Sequence, residues 1–313
     1  MLRRYLDAFT TASKKQDEII YLDLFGGQPD NRERLTHENL DGSARIALET
    51  DGARFTRLRF FEIEPYASRL QAVLQRDYVD RDLRVVAGDC NQTIGGVLQE
   101  LAPYNWAPTF AFVDPNGPDV HWSTLHALAS FKKANLKKVE LWVLLAAGMF
   151  IRTLPRDGRV RPDDAMKLTQ MYGTDQWRTI YEARVAETTS PGGAREEYVN
   201  LMRWRLEHVL GYRWTHPLEI FNERGHSIYH MVFATDHPVG NDIMTSLYNR
   251  AANEFPAMRE AARRRRSRLT EREAGVHSLF GDDDEFVEHP VGPRERLYVH
   301  SPPWLPYGMV DES

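Results

Sequence analysis

Four apolar segments of the chain end in acidic and glycine residues of the kinds that bind a nucleoside. The first, YLDLFGG, contains Asp23 and runs into Gly26 and Gly27. Glycines at this place let the backbone approach a ligand closely and turn tightly into a helix. The second, FFEIEP, places Glu62 and Glu64 at its end, where a carboxylate can accept hydrogen bonds from both hydroxyls of a ribose.

The third and fourth segments add groups for an adenine ring and for an amine. VVAGDCN places Asp89, followed by Cys90, where a carboxylate can accept a hydrogen bond from an adenine amino group, and TFAFVDPNG contains Asp114 and Pro115. An acidic residue after a strand is more often a helix cap than a ligand, so each segment alone is a weak signal. Their order of glycines, acid, Gly-Asp and Asp-Pro is the binding scheme of methyltransferases that use S-adenosylmethionine, and it predicts that cofactor here.

The Asp-Pro step predicts how a methyl acceptor is held. In amino-methylating enzymes, an Asp or Asn followed by proline offers a side-chain oxygen and a backbone carbonyl, which together orient the lone pair of the target amine. Asp114 and Pro115 are the candidates for this catalytic role. Such enzymes also carry an aromatic residue two positions after the first proline, which stacks on a flipped base. Gly117 occupies that position here, so Trp106 or Trp122 would have to supply the ring.

The elements that must position these residues indicate an α/β protein with a parallel sheet. Short apolar runs, typical of buried parallel strands, alternate with segments long enough for helices. The runs predict strands at 19–24, 58–63, 83–87, 109–113 and 139–145. The segments between them predict helices at 42–49, with Ser43 as N-cap, and at 66–74, 92–101 and 123–131. In such sheets, ligands bind beyond the carboxyl ends of the strands, where the four motifs lie.

The whole chain divides into five predicted regions. They are an N-terminal helix (1–18), a Rossmann-like methyltransferase core (19–151), a helical insertion (152–212), a C-terminal hairpin and basic helix that complete the core (213–272), and an acidic, Pro-rich tail (273–313). The insertion, with helices at 162–172 and 194–210, is the expected place for substrate selectivity. The hairpin has strands at 214–221 and 227–234 joined by 222–225, and a helix at 240–268 follows. The tail is expected to be mobile, with Trp304 and Tyr307 as candidates for docking.

The order of the four motifs resembles that of class I methyltransferases. This resemblance implies a Rossmann-like three-layer α/β sandwich with a mostly parallel sheet, the strand order 3-2-1-4-5-7-6, an antiparallel C-terminal strand seven and a helical insertion.

Composition excludes several classes of protein. Of 313 residues, 42% are hydrophobic and 27% are charged, which is typical of a globular protein and not of a collagen-like or wholly disordered one. Cys90 is the only cysteine, so the chain can form neither an internal disulfide nor a multi-thiolate metal site. The longest apolar run, 141–151, is too short to span a bilayer, and the first residues lack the apolar stretch of a signal peptide. We therefore expect a cytoplasmic protein without a membrane partner.

The net charge of −5 hides an asymmetry along the chain. Residues 273–313 hold nine acidic and two basic residues, so the rest of the chain carries slightly more basic than acidic residues. The overall acidity is therefore no argument against a nucleic-acid substrate. One basic run is a candidate for phosphate contacts, with a solvated helix face as the alternative; it comprises Arg263, Arg264, Arg265, Arg266 and Arg268.

Taken together, the motifs resemble one known family. The series YLDLFGG, GSARIAL, FFEIEP, AGDCN, FAFVDPNG and YHMVFATDHPVG, strung over about residues 16–255, is similar to the three-Cys-motif partner proteins, called TcmP. The resemblance implies a methyltransferase-like Rossmann domain and a partner protein that carries a three-cysteine motif. It also assigns four groups of residues: the first loop (Asp23, Gly26, Gly27), the ribose acid (Glu62), the adenine region (Asp89, Cys90) and the Asp-Pro-x-Gly segment (Asp114, Pro115, Asn116, Gly117).

The first loop departs from the family pattern. The family usually shows Phe-Ala-Gly-Pro-Gly, whereas this chain has Phe25, Gly26, Gly27, Gln28 and Pro29. Proline has no N–H to donate and cannot take a positive φ. We therefore expect Pro29 to change the loop around the methionine end of the cofactor and to weaken its binding.

Three functions follow from these residues. The leading hypothesis is methyl transfer from S-adenosylmethionine to a nucleic-acid base or a partner macromolecule, with Asp114 orienting the acceptor. The donor would be held by Asp23, Glu62 and Asp89. The alternative, motivated by the altered first loop and the missing aromatic residue, is a methyltransferase-like domain of weak turnover that serves as the interaction partner of a three-cysteine protein. The third is a divalent-cation site formed by Asp23, Asp89 and Asp114, which predicts stabilisation by magnesium.

Overall fold

A mostly parallel β-sheet forms the centre of the protein. The computed structural model describes residues 1–32, 39–133, 136–222, 226–273, 298 and 300–309. Its strands are β1 (Ile20–Asp23), β2 (Asp30–Arg32), β3 (Asn39–Asp41), β4 (Arg57–Glu62), β5 (Asp82–Ala87), β6 (Thr109–Val113), β7 (Glu140–Leu145), β8 (Trp214–Phe221) and β9 (Ser227–Thr235).

The order of the strands in the sheet matches the predicted one. The seven-stranded sheet has the order β5-β4-β1-β6-β7-β9-β8, and β2 and β3 form a separate antiparallel pair. The pairs from β5 to β7 are parallel, whereas β9 runs antiparallel to both β7 and β8. Counting only these seven strands along the chain, the order is 3-2-1-4-5-7-6 with strand seven antiparallel, as predicted. The small β2–β3 pair was not predicted. The architecture is mixed α/β and is compatible with a Rossmann-like fold.

Helices cover both faces of the sheet. They are α1 (Leu2–Ala12), α2 (Ser43–Leu48), α3 (Tyr66–Asp77), α4 (Cys90–Glu100), α5 (Trp122–Ser130), α6 (Ala147–Thr153), α7 (Pro162–Tyr172), α8 (Trp177–Val185), α9 (Pro191–His208) and α10 (Pro238–Glu273), with a 3₁₀ turn at Ala102–Tyr104. One apolar core lies between the sheet and α4 to α9, and a second lies between the opposite face and α1, α2, α3 and α10. No described helix has an apolar stretch long enough to cross a membrane.

The burial of each strand explains why some strands are easier to predict than others. β1 and β6 are buried at every position, because both lie in the middle of the sheet with helices on both faces, and such strands read as continuous apolar runs. β5 lies at the edge of the sheet and has only exposed and half-buried positions. Region 152–212 contains α7, α8 and α9, and α8 was not predicted. The N-cap of α2 is Gly42, not Ser43 as predicted.

The described end of the chain is held against the body of the protein by hydrogen bonds to its backbone. Residues 298 and 300–309 form this C-terminal strap; residues 274–297 of the predicted tail, and 223–225 of the hairpin joint, lie outside the described residues. Asn200 of α9 is buried, donates from Nδ2 to the Trp304 carbonyl at 2.9 Å and accepts from the Trp304 N–H at 3.0 Å. Glu197 accepts from the Trp304 indole at 2.8 Å, and Gln176 donates to the Tyr307 carbonyl at 2.7 Å. Both residues predicted as docking candidates are thus held in place.

The start of the strap packs beside the last strand of the sheet. Arg203 of α9 is buried, donates to the hydroxyl and the carbonyl of Thr215 at 3.1 and 3.0 Å, and also donates to the carbonyl of Ser301. Next to it, the fully buried His216 ring bonds to Asn241 and to the Tyr298 hydroxyl. Burial lowers the pKa of His216 to about 4, so this imidazole is neutral at physiological pH. The strap therefore links α9, β8 and α10.

One acidic side chain lies inside the core. Glu140 accepts a hydrogen bond of 2.8 Å from Thr235 Oγ1 on one oxygen and a bond from the Tyr5 hydroxyl on the other. Burial outweighs both bonds and raises the pKa of Glu140 to about 7. Gly240 of α10 lies so close that a Cβ at that position would collide with Glu140 Oε1. The carboxyl group therefore cannot move toward α10 to relieve its burial.

We expect Glu140→Gln to make the stability of the protein less dependent on pH. The folded protein keeps the Glu140 proton up to about pH 7, whereas the ordinary value is 4.5. The contribution of Glu140 to the free energy of unfolding is therefore complete below pH 4.5 and is lost as the pH rises through about 7. Glutamine has no charge to bury, so at about pH 8 the variant should gain on the order of 3 kcal/mol in free energy of unfolding. Urea denaturation of both proteins in acid and in alkaline buffer measures this difference. A gain that is larger in acid would contradict the assignment.

Candidate functional site

The carboxyl ends of β1, β4, β5 and β6 open into a cavity of about 780 Å³, at the edge where parallel α/β sheets bind ligands. Six of the predicted site residues line it: Gly26, Gly27, Glu62, Asp89, Cys90 and Asp114. Two others, Asp23 and Pro115, are not among the lining residues. α1, the β2–β3 pair and α7 add side chains that the sequence did not identify, including Leu2, Asn31, Asp41, Met166, Lys167 and Gln170.

The glycine loop after β1 is fixed to the neighbouring strand. Gly26 donates its N–H to the Phe61 carbonyl at 2.8 Å, and a Cβ on Gly26 would approach Leu70 to 3.0 Å. Gly27 has a φ of 58°, which L side chains rarely adopt. Its N–H donates to Glu62 Oε2 at 2.8 Å. The predicted tight turn is therefore present, and it is tied to the predicted ribose acid.

Pro29, the departure from the family pattern, has a structural partner. Its carbonyl accepts the N–H of Gly42 at 2.7 Å. Gly42 packs so closely that a Cβ there would collide with the Gln28 carbonyl. Gln28 and Asn31 line the cavity, whereas Pro29 does not. The missing N–H of Pro29 therefore does not face the cavity, and the loop is held through its carbonyl.

Glu62 presents a carboxylate whose orientation is fixed by backbone groups. Besides the Gly27 bond, its Oε1 accepts the N–H of Ile63 at 2.8 Å. Each carboxylate oxygen can accept more than one hydrogen bond, so both keep capacity for a ligand in the cavity. Glu64 is arranged differently, because it accepts from the backbone N–H and hydroxyl of Ser68 in α3. Glu62 and not Glu64 lines the cavity.

Asp89 and Cys90 begin α4 at the cavity wall. Asp89 is the N-cap of this helix and accepts the N–H of Asn91 at 2.8 Å, so it is a helix cap and also a cavity residue. Cys90 is buried, and burial together with the charge of Asp89 raises the pKa of its thiol to about 12. The thiol is therefore protonated at neutral pH, which does not suit a nucleophile.

Asn91 connects the two sides of the site and was missed by the sequence analysis. Its Nδ2 donates to the Asp119 carbonyl at 2.8 Å, and its Oδ1 accepts the His121 N–H and the Thr124 hydroxyl, each at 2.8 Å. These bonds join the start of α4 to the loop that follows β6 and to α5. The sequence signal was an amide side chain directly after Asp89 and Cys90, but its partners lie 28 to 33 positions further along the chain.

Asp23 lies beneath the cavity and not on its wall. It is fully buried and shares a face of β1 with Tyr21, whose hydroxyl donates to Oδ2 at 3.2 Å. The Ser43 side chain also bonds to it, and burial raises the pKa of Asp23 to about 7. The predicted direct contact with a donor therefore does not fit this position. Asp23 instead supports the glycine loop from below.

Asp114 presents its carboxylate to the cavity, and among the described residues this group has no hydrogen-bond partner. The surrounding protein removes part of the water around it, and this desolvation raises the pKa of Asp114 to about 6. Pro115 is buried. Gly117, where an aromatic residue was expected, packs against Met149, whose Cε would lie 3.1 Å from an added Cβ. Met149 therefore occupies the space that a larger side chain at 117 would need.

The two tryptophans proposed as stacking partners do not reach the cavity. Trp122 is buried, and the guanidinium of Arg205 lies over its ring at 4.4 Å. Gly173 packs against the same ring on α5. Trp106 is 41% exposed and lies outside the lining. Neither ring is placed to stack on a base at Asp114, so that prediction is wrong.

α7 forms the outer wall of the cavity. It contributes Met166, Lys167 and Gln170, and Lys167 Nζ lies 3.8 Å from Asp119 Oδ1 in the loop after β6. Both side chains of this pair are about half exposed, so the pair adds little stability. The predicted selectivity region therefore does contribute to the cavity, through one face of one helix.

Two further predictions concern metal ions and phosphates. Among the described residues, no group of three or more His, Cys, Asp or Glu side chains is arranged to hold a metal ion. In the basic run of α10, Arg264 pairs with Glu260 at 3.1 Å. The structure describes the helical backbone of the other four arginines but not their side chains; they are Arg263, Arg265, Arg266 and Arg268.

Comparison with known proteins identifies no family. No family model matches the chain, and no curated protein matches it. Among solved structures, the chain is similar to a crystal structure of a Legionella pneumophila protein assigned to the DUF519 family. The two share 11% sequence identity with a TM-score of 0.42, over 76% of this chain and 84% of the other.

Proposed function

We propose that this protein is a methyltransferase that uses S-adenosylmethionine. The observation that carries the proposal is the cavity at the carboxyl ends of four neighbouring strands, where a glycine turn, Glu62, Asp89 and Asp114 meet. The glycine turn follows β1, Glu62 ends β4, Asp89 follows β5 and Asp114 follows β6. The proposed donor and acceptor sites require this order. An arrangement of this kind suits a nucleoside donor on one side and a reacting group on the other.

The residues of the cavity fit the donor. The backbone turn at Gly27 brings the main chain to the cavity, and the Gly27 N–H holds Glu62 so that its free lone pairs can accept the ribose hydroxyls. Asp89 and the start of α4 border the expected place of the adenine ring. When bound, the donor supplies a methyl group that its sulfonium has already activated. The protein therefore needs mainly to align donor and acceptor.

Calorimetric titration of the full-length protein with S-adenosylmethionine and S-adenosylhomocysteine tests the proposal. We expect both to bind with one site per chain. Transfer of a labelled methyl group to DNA, RNA and protein then identifies the class of acceptor, with Asp114→Ala as the variant that should bind the donor and fail to transfer. Absence of binding at millimolar ligand would contradict the proposal, and magnesium-dependent stabilisation in its place would favour a cation site.

A second candidate function is an interaction protein with weak turnover. Two observations favour it: Met149 fills the space beside Gly117, and neither Trp106 nor Trp122 faces the cavity. The partner implied by the resemblance is a protein with a three-cysteine motif. This function predicts a stable complex with that partner and no methyl transfer. Efficient transfer by the isolated protein would contradict it.

A further inference from the structure

We propose that the methyl acceptor of this cavity is an aliphatic amine that enters as a cation and that Asp114 receives it. This inference rests on the proposed function and deepens it, since it names the class of substrate. The sequence led us to expect a nucleic-acid base as the acceptor. An amine cation would bring a positive charge into the cavity, whereas a nucleic-acid strand would bring the negative charges of its phosphates.

The charge of the wall is the first argument. Five carboxylates belong to the part of the lining that the structure describes: Asp41, Glu62, Asp89, Asp114 and Asp119. Among the described lining residues, Lys167 is the only lysine or arginine. A wall of this composition creates a negative potential that attracts cations and repels phosphates. Proteins that hold nucleic acids show the opposite pattern, in which basic side chains contact the backbone.

The pairing of these carboxylates is the second argument. Asp119 already faces an ammonium group, that of Lys167, and Asp41 pairs with the Arg3 guanidinium at 2.5 Å. Two of the five lining carboxylates are therefore already paired with cationic side chains of this chain. Asp114 differs, since no described residue pairs with it or donates a hydrogen bond to it. An incoming ammonium group would supply both the charge and the donors that Asp114 lacks.

The position of Asp114 within the cavity is the third argument. Glu62 and Asp89 follow β4 and β5 and border the expected donor side. Asp114 follows β6, which lies on the other side of β1 from β4. Met166 on the outer wall is 54% exposed, and its apolar side chain can contact the methylene groups of an aliphatic amine. The cavity thus combines a carboxylate for the charged end with an apolar contact for the carbon chain.

Transfer to an amine balances in atoms and charge with this arrangement. The ammonium first releases one proton to water through the Asp114 carboxylate. The freed lone pair then forms the nitrogen–carbon bond to the methyl group, while the carbon–sulfur bond breaks and its electron pair stays on sulfur. The product is a methylated ammonium and a neutral thioether. Desolvation raises the pKa of Asp114 to about 6, so the carboxylate is mostly ionised at neutral pH when it meets the cation.

Calorimetry on the full-length protein saturated with S-adenosylhomocysteine tests the inference. The probes are spermidine as a free amine, a blocked peptide with one lysine as a side-chain amine, and adenosine monophosphate and a short oligonucleotide as anions. We expect one of the amines to bind. Asp114→Asn should weaken that binding about tenfold or more. The matched control is Glu196→Gln, which removes the same charge on the exposed face of α9, outside the cavity lining, and should leave binding unchanged.

The outcomes separate the inference from the function on which it rests. No heat with S-adenosylhomocysteine contradicts the proposed function and the acceptor assignment together. Normal heat with S-adenosylhomocysteine but no amine binding, or amine binding that Asp114→Asn leaves intact, contradicts only the acceptor assignment. Tighter binding of the oligonucleotide than of either amine also overturns it. Preference for spermidine or for the peptide supports the assignment and distinguishes a small-molecule acceptor from a lysine side chain.

Discussion

Glu62→Ala should weaken the binding of S-adenosylhomocysteine by about 100-fold or more. A carboxylate that accepts two ribose hydroxyls makes two charge-assisted hydrogen bonds, each worth about 1.5 kcal/mol or more, and about 1.4 kcal/mol corresponds to a tenfold change in affinity. The substitution also removes the acceptor of the Gly27 N–H, which frees the glycine turn. Calorimetric titration of wild-type and variant protein under the same conditions measures the change.

Glu64→Ala is the matched control for this experiment. Glu64 is two positions away and carries the same charge, but it bonds to Ser68 at the start of α3 and does not line the cavity. Its loss should leave the affinity within a few-fold of wild type. Glu62→Gln should fall between the two, because it retains an oxygen for the Gly27 N–H and loses the charge. Equal affinities for Glu62→Ala and Glu64→Ala would show that Glu62 does not hold the ligand.

Asn200→Ala should lower the free energy of unfolding by about 2 to 3 kcal/mol. Asn200 is 1% exposed and holds both the N–H and the carbonyl of Trp304, and alanine removes both hydrogen bonds together with buried contacts. The strap then keeps its hydrogen bonds to Glu197, Gln176, Arg203 and His216. Urea denaturation gives the change in stability, and faster proteolysis after Trp304 shows whether the strap has been released.

Two further substitutions on α9 test whether the loss of stability in Asn200→Ala comes from the bonds to Trp304. Asn200→Asp keeps an acceptor for the Trp304 N–H and loses the donor to its carbonyl, so it should cost stability while retaining part of the contact. Glu196→Gln changes an exposed side chain on the same helix and should have almost no effect. If Asn200→Ala is as stable as Glu196→Gln, the strap is not held by Asn200.

The strands were predictable where local sequence decides their structure. β1, β6 and β7 are mainly apolar runs in the interior of the sheet. The order of the strands was implied by the resemblance to methyltransferases and not by the runs themselves. The β2–β3 pair has three residues in each strand and lacks an apolar run, as its sequences DNR and NLD show. α8 lacks a start signal in the sequence: its N-cap, Gln176, makes no side-chain cap bond, whereas α7 and α9 begin with a proline. Contacts with neighbouring helices determine such elements.

The same distinction applies to the site. Glu62, Asp89 and Asp114 line one cavity, because each follows or ends a strand at the same edge of the sheet. Their contacts with a donor and an acceptor stay predictions. Asp23 was assigned to the ligand because the motif alone does not say which face of a strand a side chain occupies, and its face is covered by Tyr21 and Ser43. Lys167 reaches the cavity through a contact with Asp119, 48 positions earlier in the chain. No local pattern predicts a contact of that separation.

During synthesis, the contacts between α9 and the strap can form only long after α9 itself has been made. Asn200 and its partner Trp304 are 104 positions apart, and at a synthesis rate of about 5 to 20 residues per second, Trp304 is added roughly 5 to 20 s after Asn200. Throughout that interval the strap is not available to the Asn200 side chain, which is 1% exposed in the folded protein. A chain that ends prematurely between these two positions therefore lacks the contacts that the strap makes with α9. Such a product differs from the finished protein in a surface that cellular quality control can detect.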